Sequence, residues 1–220
     1  MPYRRRYYKR RPRYNRYKRR RYSKYGSYLS TASKALSVAY GVKRLLNVER
    51  KEKNLSIDLS GTDTAAISQL TNIAQGDTTE TRDGSRIRVV SIGIRGFVKM
   101  NANITTSQVV RLILVLDKQT NQAIYAATDL LKNDTINSPL NLDNGSRFRV
   151  LWDRMFILSD GGDNCKGFKY FKKVSIPIRF DDSSATIGSL TEKSLSLLRI
   201  SDNSLGCNVT CFVRLRYVDN

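Results

Sequence analysis

The first 25 residues of the sequence are built almost entirely from basic and phenolic side chains. They hold thirteen Lys or Arg, seven Tyr and no Asp or Glu. A Lys or Arg that neutralises a phosphate releases a condensed counterion, which gives tight, salt-sensitive binding that ignores base sequence. A tyrosine ring stacks on an unpaired base of any identity. The segment is therefore predicted to bind nucleic acid, and its tyrosines favour single strands.

The candidate nucleic-acid-binding residues lie in this segment and in the stretch that follows it. They are Arg4, Arg5, Arg6, Tyr7, Tyr8, Lys9, Arg10, Arg11, Arg13, Tyr14, Arg16, Tyr17, Lys18, Arg19, Arg20, Arg21, Tyr22, Lys24, Lys34, Lys43 and Arg44. For the tyrosines, packing against protein is the alternative role. The same basic run also fits a nuclear import signal, so a nuclear import receptor is a second candidate partner.

The positive charge is concentrated at the N-terminal end of the chain. Residues 1–53 carry nineteen Lys or Arg against two acids, whereas residues 54–220 carry twenty against seventeen. A membrane is the weaker candidate partner, because a basic helix that lies on a bilayer needs a large apolar face. No apolar run is long enough to span one. The charge pattern therefore predicts a nucleic-acid-binding tail joined to an ordinary domain, with no membrane partner.

Residues with catalytic or metal-binding spacing are missing from the sequence. It has no histidine, no G-x-S-x-G and no Gly-Lys-Ser/Thr motif, and its carboxylates lack a basic or nucleophilic partner. Cys165, Cys207 and Cys211 show no C-x-x-C spacing, so they are predicted to be buried or neutral thiols. The loop "DGGDN" (160–164) lacks the ligand spacing of an EF-hand and is predicted to be a solvated turn. We expect no enzyme activity, no metal site and no cofactor.

Residues 28–53 are predicted to form a short amphipathic basic helix and a linker. Apolar side chains recur there at the spacing of one helical stripe. Lys34 and Arg44 fall on the opposite side of that helix. One face would pack on protein, and the other would meet solvent or phosphate.

From residue 54 onward the period changes to that of strands. About eight runs that alternate or are wholly apolar are separated by clusters of Gly, Asn, Asp and Ser, with one helical candidate at 123–131. This pattern predicts an antiparallel sandwich.

The alternation in "RFRVLW" (147–152) predicts that each sheet of the sandwich buries one face and exposes the other. The side chains assigned to the inner side are Phe148, Val150 and Trp152.

Three short stretches carry a resemblance to a known family. They are "IAQGD" (73–77), "TRDGSRIRVVS" (81–91) and "RLILVLD" (111–117). With the segments around them, they resemble the coat protein of satellite tobacco necrosis virus and the related capsids of circular, Rep-encoding single-stranded DNA viruses. The likeness is good over roughly residues 33–158, and beyond them it extends only to the rhythm of the strands.

The resemblance implies an all-β fold, a single eight-stranded antiparallel jelly-roll sandwich. It divides the chain into a disordered basic arm (1–27), the basic helix and linker (28–53) and a shell domain (54–220). Lys43 and Arg44 match the basic residues that the helix of the satellite-virus relatives presents to nucleic acid. Calcium at subunit contacts occurs in that group, but no calcium ligand can be assigned to a residue here.

The resemblance also implies a T=1 shell of sixty copies whose arms point inward onto the genome. The arm is more similar to those of circovirus-type capsids, which favours single-stranded DNA over RNA as the partner. The protein would then occur in the virion, and in the host nucleus and cytoplasm during infection. The alternative is a cellular RNA-binding or ribosomal-type protein with a basic extension, which would not assemble into closed particles.

Overall fold

The computed structural model describes residues 33–35 and 49–219. Residues 33–35 are helical and exposed, within the helix predicted for 28–53. The remainder of that helix up to residue 48 and the whole predicted arm lie outside the described residues. The chain divides into two units, residues 1–47 and 48–220, and the fold below is that of the second.

Nine strands and two short helical segments form the described domain. The strands are β1 (Arg50–Asp58), β2 (Ala66–Gln69), β3 (Arg86–Met100), β4 (Ser107–Asp117), β5 (Phe148–Ser159), β6 (Cys165–Phe180), β7 (Leu190–Glu192), β8 (Ser194–Ser201) and β9 (Cys207–Asp219). The helix predicted within 123–131 is the single turn α1 (Ala127–Leu130), and a 3-10 turn spans Ile187–Ser189.

Two details of this inventory differ from the sequence-based expectations. The ninth strand is the three-residue β7, which adds only to the edge of β6. The first strand begins at Arg50, before the predicted domain boundary at residue 54, because residues 50–53 pair in register with the end of β9.

The strands form two antiparallel sheets with an interleaved order. One sheet has the order β1-β9-β3-β6-β7 and the other β2-β8-β4-β5. β1 pairs with β9, β2 with β8, β3 with β6 and β4 with β5, so the first half of the chain pairs with the second half in nested fashion. This is the pattern of a long hairpin rolled into a double sheet, a jelly-roll-like sandwich.

The main core lies between the two sheets. Alternate residues of β3 and β9 face it, and their neighbours in sequence face outward. The fully enclosed side chains include Ile92 and Ile94 of β3, Leu112 and Leu114 of β4, and Val213 and Leu215 of β9.

The two central strands of the four-stranded sheet, β4 and β8, are buried on both faces. All eight residues of β8 are buried, and in β4 only Ser107 is exposed. Their outer side chains pack in a second cluster under the connection that joins β4 to β5. The prediction that each sheet exposes one face is therefore wrong for β4 and β8, whereas β5 exposes Asp153, Met155 and Ile157 on the outer side. The members of this second cluster are Ile113, Val115, Tyr125, Leu130, Leu131, Phe148, Leu198 and Ile200.

A bulge in β5 changes the predicted facing of its side chains. Trp152 pairs with Leu114 and Val150 pairs with Val115, so Leu151 is an extra residue in the strand. Trp152 packs against the main core as predicted, whereas Phe148 and Val150 lie in the second cluster on the other face. The inner assignment was wrong for these two residues because the bulge shifts the alternation.

The five-stranded sheet has the opposite arrangement, with one face on the main core and the other open to solvent. Residues of β3, β6 and β9 alternate between buried and exposed along much of their length. The outer face of this sheet is thus a broad uncovered surface of the described domain.

Candidate nucleic-acid interface

Most of the predicted nucleic-acid-binding residues lie outside the part of the chain that the structure describes. Lys34 is the exception, and it is exposed within the helical residues 33–35. The roles assigned to the arm residues, to Lys43 and to Arg44 stay predictions. The described domain adds a surface of its own.

The open face of the five-stranded sheet carries a cluster of cations, here called the basic face. Three strands position them, because alternate residues of β3, β6 and β9 point outward and many of these are Lys or Arg. The basic face consists of Arg86, Arg88, Arg95, Lys99, Lys169, Lys173, Arg179, Arg214 and Arg216.

Carboxylates are scarce around these cations. Neither β3 nor β6 contains an Asp or a Glu. On β1, Glu52 lies 3.7 Å from Arg214 and 3.5 Å from Arg216. Arg214 also donates a hydrogen bond of 2.7 Å to the Asn54 side-chain oxygen. One carboxylate shared by two guanidinium groups leaves this part of the face positive, so the surface attracts polyanions.

The middle of the basic face has a gap at Gly93. This residue lies on β3, the middle one of the three neighbouring strands. Arg214 of β9 and Phe171 of β6 flank Gly93 in register. In the next outward row, Arg95 lies between Phe212 and Lys169. Two aromatic rings and three cations therefore surround a position that has no side chain.

This gap is a cleft of about 690 Å³, here called the Gly93 cleft. An added Cβ at Gly93 would lie 3.8 Å from the Phe171 ring, in ordinary van der Waals contact, so the floor of the cleft has room for a small side chain. Phe171 and Phe212 are 57% and 66% exposed. In proteins that bind single-stranded nucleic acid, bases stack on exposed aromatic rings that lie beside cations.

This surface was not predicted from the sequence, because residues 54–220 have the charge balance of an ordinary domain. Those residues do carry nearly balanced charge, but the strands separate it by face. The signal was present as basic residues at every second position in "RIR" (86–88) and "RLR" (214–216). The order β9-β3-β6, which brings the three strands together, joins segments that are distant in the sequence.

The cysteines show two kinds of environment. Cys207 and Cys211 are buried on β9, and burial raises the pKa of Cys211 to about 11 and also raises that of Cys207. Both are therefore neutral thiols at physiological pH, in agreement with the prediction. Cys165 is exposed at the start of β6.

Residues 33–35 and 49–219 contain no group of three or more Cys, Asp or Glu side chains placed to hold one metal ion. In the loop 160–164, Asp163 forms an exposed ion pair of 3.1 Å with Lys166. Over the same described ranges, no helix is long and apolar enough to cross a bilayer.

Comparison with solved structures yields viral proteins among the similar chains. A structure from Desmodium yellow mottle tymovirus covers 78% of this chain and 88% of its own, with 9% identity and a TM-score of 0.37. The decameric BFDV capsid protein covers 79% of this chain and 98% of its own, with 9% identity and a TM-score of 0.35. The 60-mer BFDV capsid protein covers 79% of this chain and 92% of its own, with 8% identity and a TM-score of 0.35.

Comparison with protein families gives a match over most of the sequence. No curated protein matches the chain. The family model described as satellite tobacco necrosis virus coat protein matches residues 24–220, which include every strand of the sandwich and the whole basic face. The chain therefore belongs to the satellite tobacco necrosis virus coat protein family.

Proposed function

We propose that sixty copies of this chain assemble into a T=1 shell and enclose a single-stranded genome, with the basic face and the arm (1–27) turned toward it. Membership of the coat protein family assigns the chain a structural role in a virion. The observation that carries the proposal is the asymmetry of the sandwich. The central strands of one sheet are covered on both faces, whereas the other sheet leaves a cationic face uncovered.

The charge of the arm supports packaging as its purpose. Residues 1–25 hold thirteen Lys or Arg and no acid. Sixty such arms, with the basic residues that follow them, would supply on the order of 800 to 1000 positive charges. That amount offsets about 40 to 100% of the phosphate charge of a genome of roughly 1 to 2 kilobases at one phosphate per nucleotide. An arm of this size suits bulk neutralisation better than recognition of one sequence.

We extend the proposal to the kind of genome and to traffic in the host. The density of Arg and Tyr in the arm favours single-stranded DNA over RNA, by its resemblance to circovirus-type arms. The same basic run would bind a nuclear import receptor before assembly, which places the protein in the host nucleus and cytoplasm as well as in the virion.

Expression of the full chain tests the proposal directly. We expect closed isometric particles in the electron microscope that contain nuclease-protected nucleic acid. A chain that elutes from a sizing column as a monomer in every buffer would contradict the shell. Nucleic acid bound by dispersed subunits would instead favour the cellular RNA-binding alternative.

Deletion of residues 1–25 tests the role of the arm. We expect the protected nucleic acid to fall severalfold while the β domain stays folded, because the arm holds most of the net positive charge. The matched control is a chain whose first 25 residues are scrambled, which should package normally because it keeps all thirteen Lys or Arg and counterion release depends on charge. Undiminished packaging by the deletion variant would assign the binding to the folded domain alone.

A further inference from the structure

We propose that the Gly93 cleft binds unpaired nucleotides, with Phe171 and Phe212 stacking on bases while Arg95, Lys169 and Arg214 contact phosphates. The inference rests on the proposed function, since it takes the packaged genome as its ligand. It adds a base-contacting site in the folded domain to the arm, whose cations are predicted to bind phosphates and whose tyrosines are predicted to stack on bases.

The two phenylalanines are the first reason for this assignment. A single exposed aromatic ring on a protein surface is ordinary. Here two rings, each more than half exposed, lie on the strands that flank β3, on either side of a glycine. Strand spacing and rise put them roughly 12 Å apart across the cleft. That separation leaves room for one base against each ring.

The cations beside the rings are the second reason. Arg95 lies in the row between Phe212 and Lys169, and Arg214 lies beside the floor of the cleft. A nucleic-acid strand alternates bases and phosphates, so a ligand that stacks on the rings brings its phosphates to these side chains. Bases in a duplex have their faces covered by stacking, which makes a single strand the matching ligand.

Charge complementarity separates this ligand from the other candidate occupants. The arm of the same chain is strongly basic, so the cations of the cleft repel it. A second copy of the folded domain would have to bring carboxylates to the cleft and cover both rings. The excess of positive charge around Gly93 therefore favours a polyanion.

The test compares two probes of equal length and charge, a thymidine oligonucleotide and an abasic strand. Full-length protein is titrated with each probe at high salt, where binding through phosphates is weak. We expect the native chain to prefer the thymidine strand by on the order of tenfold, and the Phe171→Ala/Phe212→Ala variant to show a severalfold smaller preference, with the remainder supplied by the arm tyrosines. Gly93→Val should have the same effect, because its side chain fills the floor while its Cβ meets nothing closer than 3.8 Å.

The matched control is Phe97→Ala, since Phe97 is 43% exposed on the same sheet but does not line the cleft. This variant should keep the preference for thymidine. Ultraviolet cross-linking of the native chain gives a second readout that depends on no variant. Thymidine adducts should map to the peptides that contain Phe171 and Phe212.

Each other outcome identifies what has failed. An unchanged preference in both cleft variants, or adducts confined to the arm, would overturn the cleft proposal and leave packaging by the arm intact. If the native chain binds neither probe and forms particles without nucleic acid, the proposed function itself fails. If Gly93→Val remains folded but no longer forms particles, the cleft is a contact between copies, and the proposal is overturned.

Discussion

Arg199 is a charged residue that the fold encloses almost completely. It is 2% exposed on β8, and its guanidinium donates to the backbone carbonyl oxygens of Leu59 (2.8 Å), Thr64 (3.1 Å) and Thr62. These three acceptors belong to the loop between β1 and β2. Gly61 in the same loop has φ +149°, and a Cβ there would lie 2.8 Å from the guanidinium. The arginine and the glycine together fix the path of this loop.

Arg82 fixes the path of the connection between β2 and β3 in a similar way. It is 1% exposed and donates to the carbonyl oxygens of Ile73 (3.1 Å), Gly84 (2.7 Å) and Asp182. Its guanidinium also lies 4.1 Å from the centre of the Phe180 ring. Neither arginine is part of the basic face. Their charge serves the loops that close the sandwich, which composition alone does not reveal.

Replacement of Arg199 by Lys should destabilise the domain although the charge is kept. A lysine has one donor group in place of the planar fork, so it cannot reach all three carbonyl oxygens. We expect the free energy of unfolding to fall by about 2 kcal/mol in urea denaturation. Arg179→Lys, at an exposed position, is the control and should change it by less than about 0.5 kcal/mol. Equal effects of the two variants would contradict the role given to Arg199.

At the scale of elements, the connection between β4 and β5 acts as a cover for one sheet. An ion pair joins the two ends of this connection. Asp117, fully buried at the end of β4, accepts hydrogen bonds from Arg147 at 3.0 and 2.8 Å. The hydrogen bond from Arg147 to Asp117 raises the pKa of the arginine, so Arg147 stays charged. Between these ends, Tyr125 packs on Phe148 with ring centres 4.8 Å apart.

Replacement of Arg147 by Met should loosen this cover. The substitution leaves the Asp117 carboxylate buried without its partner, and an uncompensated buried charge is costly. We expect a loss of about 3 kcal/mol in the free energy of unfolding, and faster proteolysis within residues 118–147. Arg149→Met, two residues further on and exposed, should leave both measurements near those of the native chain. Unchanged proteolysis in Arg147→Met would show that the second cluster alone holds the cover.

The sequence pattern predicted which residues form strands better than it predicted what packs against each strand. The eight predicted runs correspond to eight of the nine strands, because each has turn residues at its ends. The wholly apolar run "LILVL" (112–116) is typical of a strand buried on both faces, but nothing local identifies the segment that covers it. The outward cations of β3 and β9 are visible as alternation. The Gly93 cleft is not, since it requires pairing between residues 93, 171 and 214.

At the scale of the whole molecule, one buried lysine connects three distant parts of the chain. Lys51 near the start of β1 lies 2.6 Å from Asp83 in the β2–β3 loop, and 3.7 and 4.0 Å from Glu49 and Asp219. Its side chain is 2% exposed. Burial lowers the pKa of Lys51, but the hydrogen bond to Asp83 and the nearby carboxylates outweigh it and raise the value overall. The hydrogen bond from Lys51 in turn lowers the pKa of Asp83.

The contribution of this cluster to stability should depend on pH. Asp83 has a lower pKa in the folded than in the unfolded chain, so it stabilises the fold at pH values above its ordinary pKa of about 4. That contribution is lost as the pH falls through the folded value. We expect Lys51→Met to be less stable than the native chain from about pH 5 to 9, and the difference to shrink below about pH 4.

Thermal unfolding across this pH range is the measurement. Lys132→Met removes an exposed lysine outside the cluster. Its thermal unfolding should depend on pH in the same way as that of the native chain. A difference between Lys51→Met and the native chain that stays constant down to pH values well below 4 would show that Lys51 acts through packing instead of through its carboxylate partners.

The nested pairing of the strands also has a consequence for biosynthesis. β9 lies between β1 and β3 in the five-stranded sheet, although it is the last of the nine strands to be made. Some 150 further residues must therefore be synthesised after β1 before its partner β9 emerges from the ribosome. Contacts of such long range make folding slow. A growing chain thus exposes its basic arm long before the basic face exists. In a newly made subunit, the arm would therefore contact cellular polyanions before the folded domain does. A nascent-chain binding assay on ribosomes stalled before residue 207 would detect this contact.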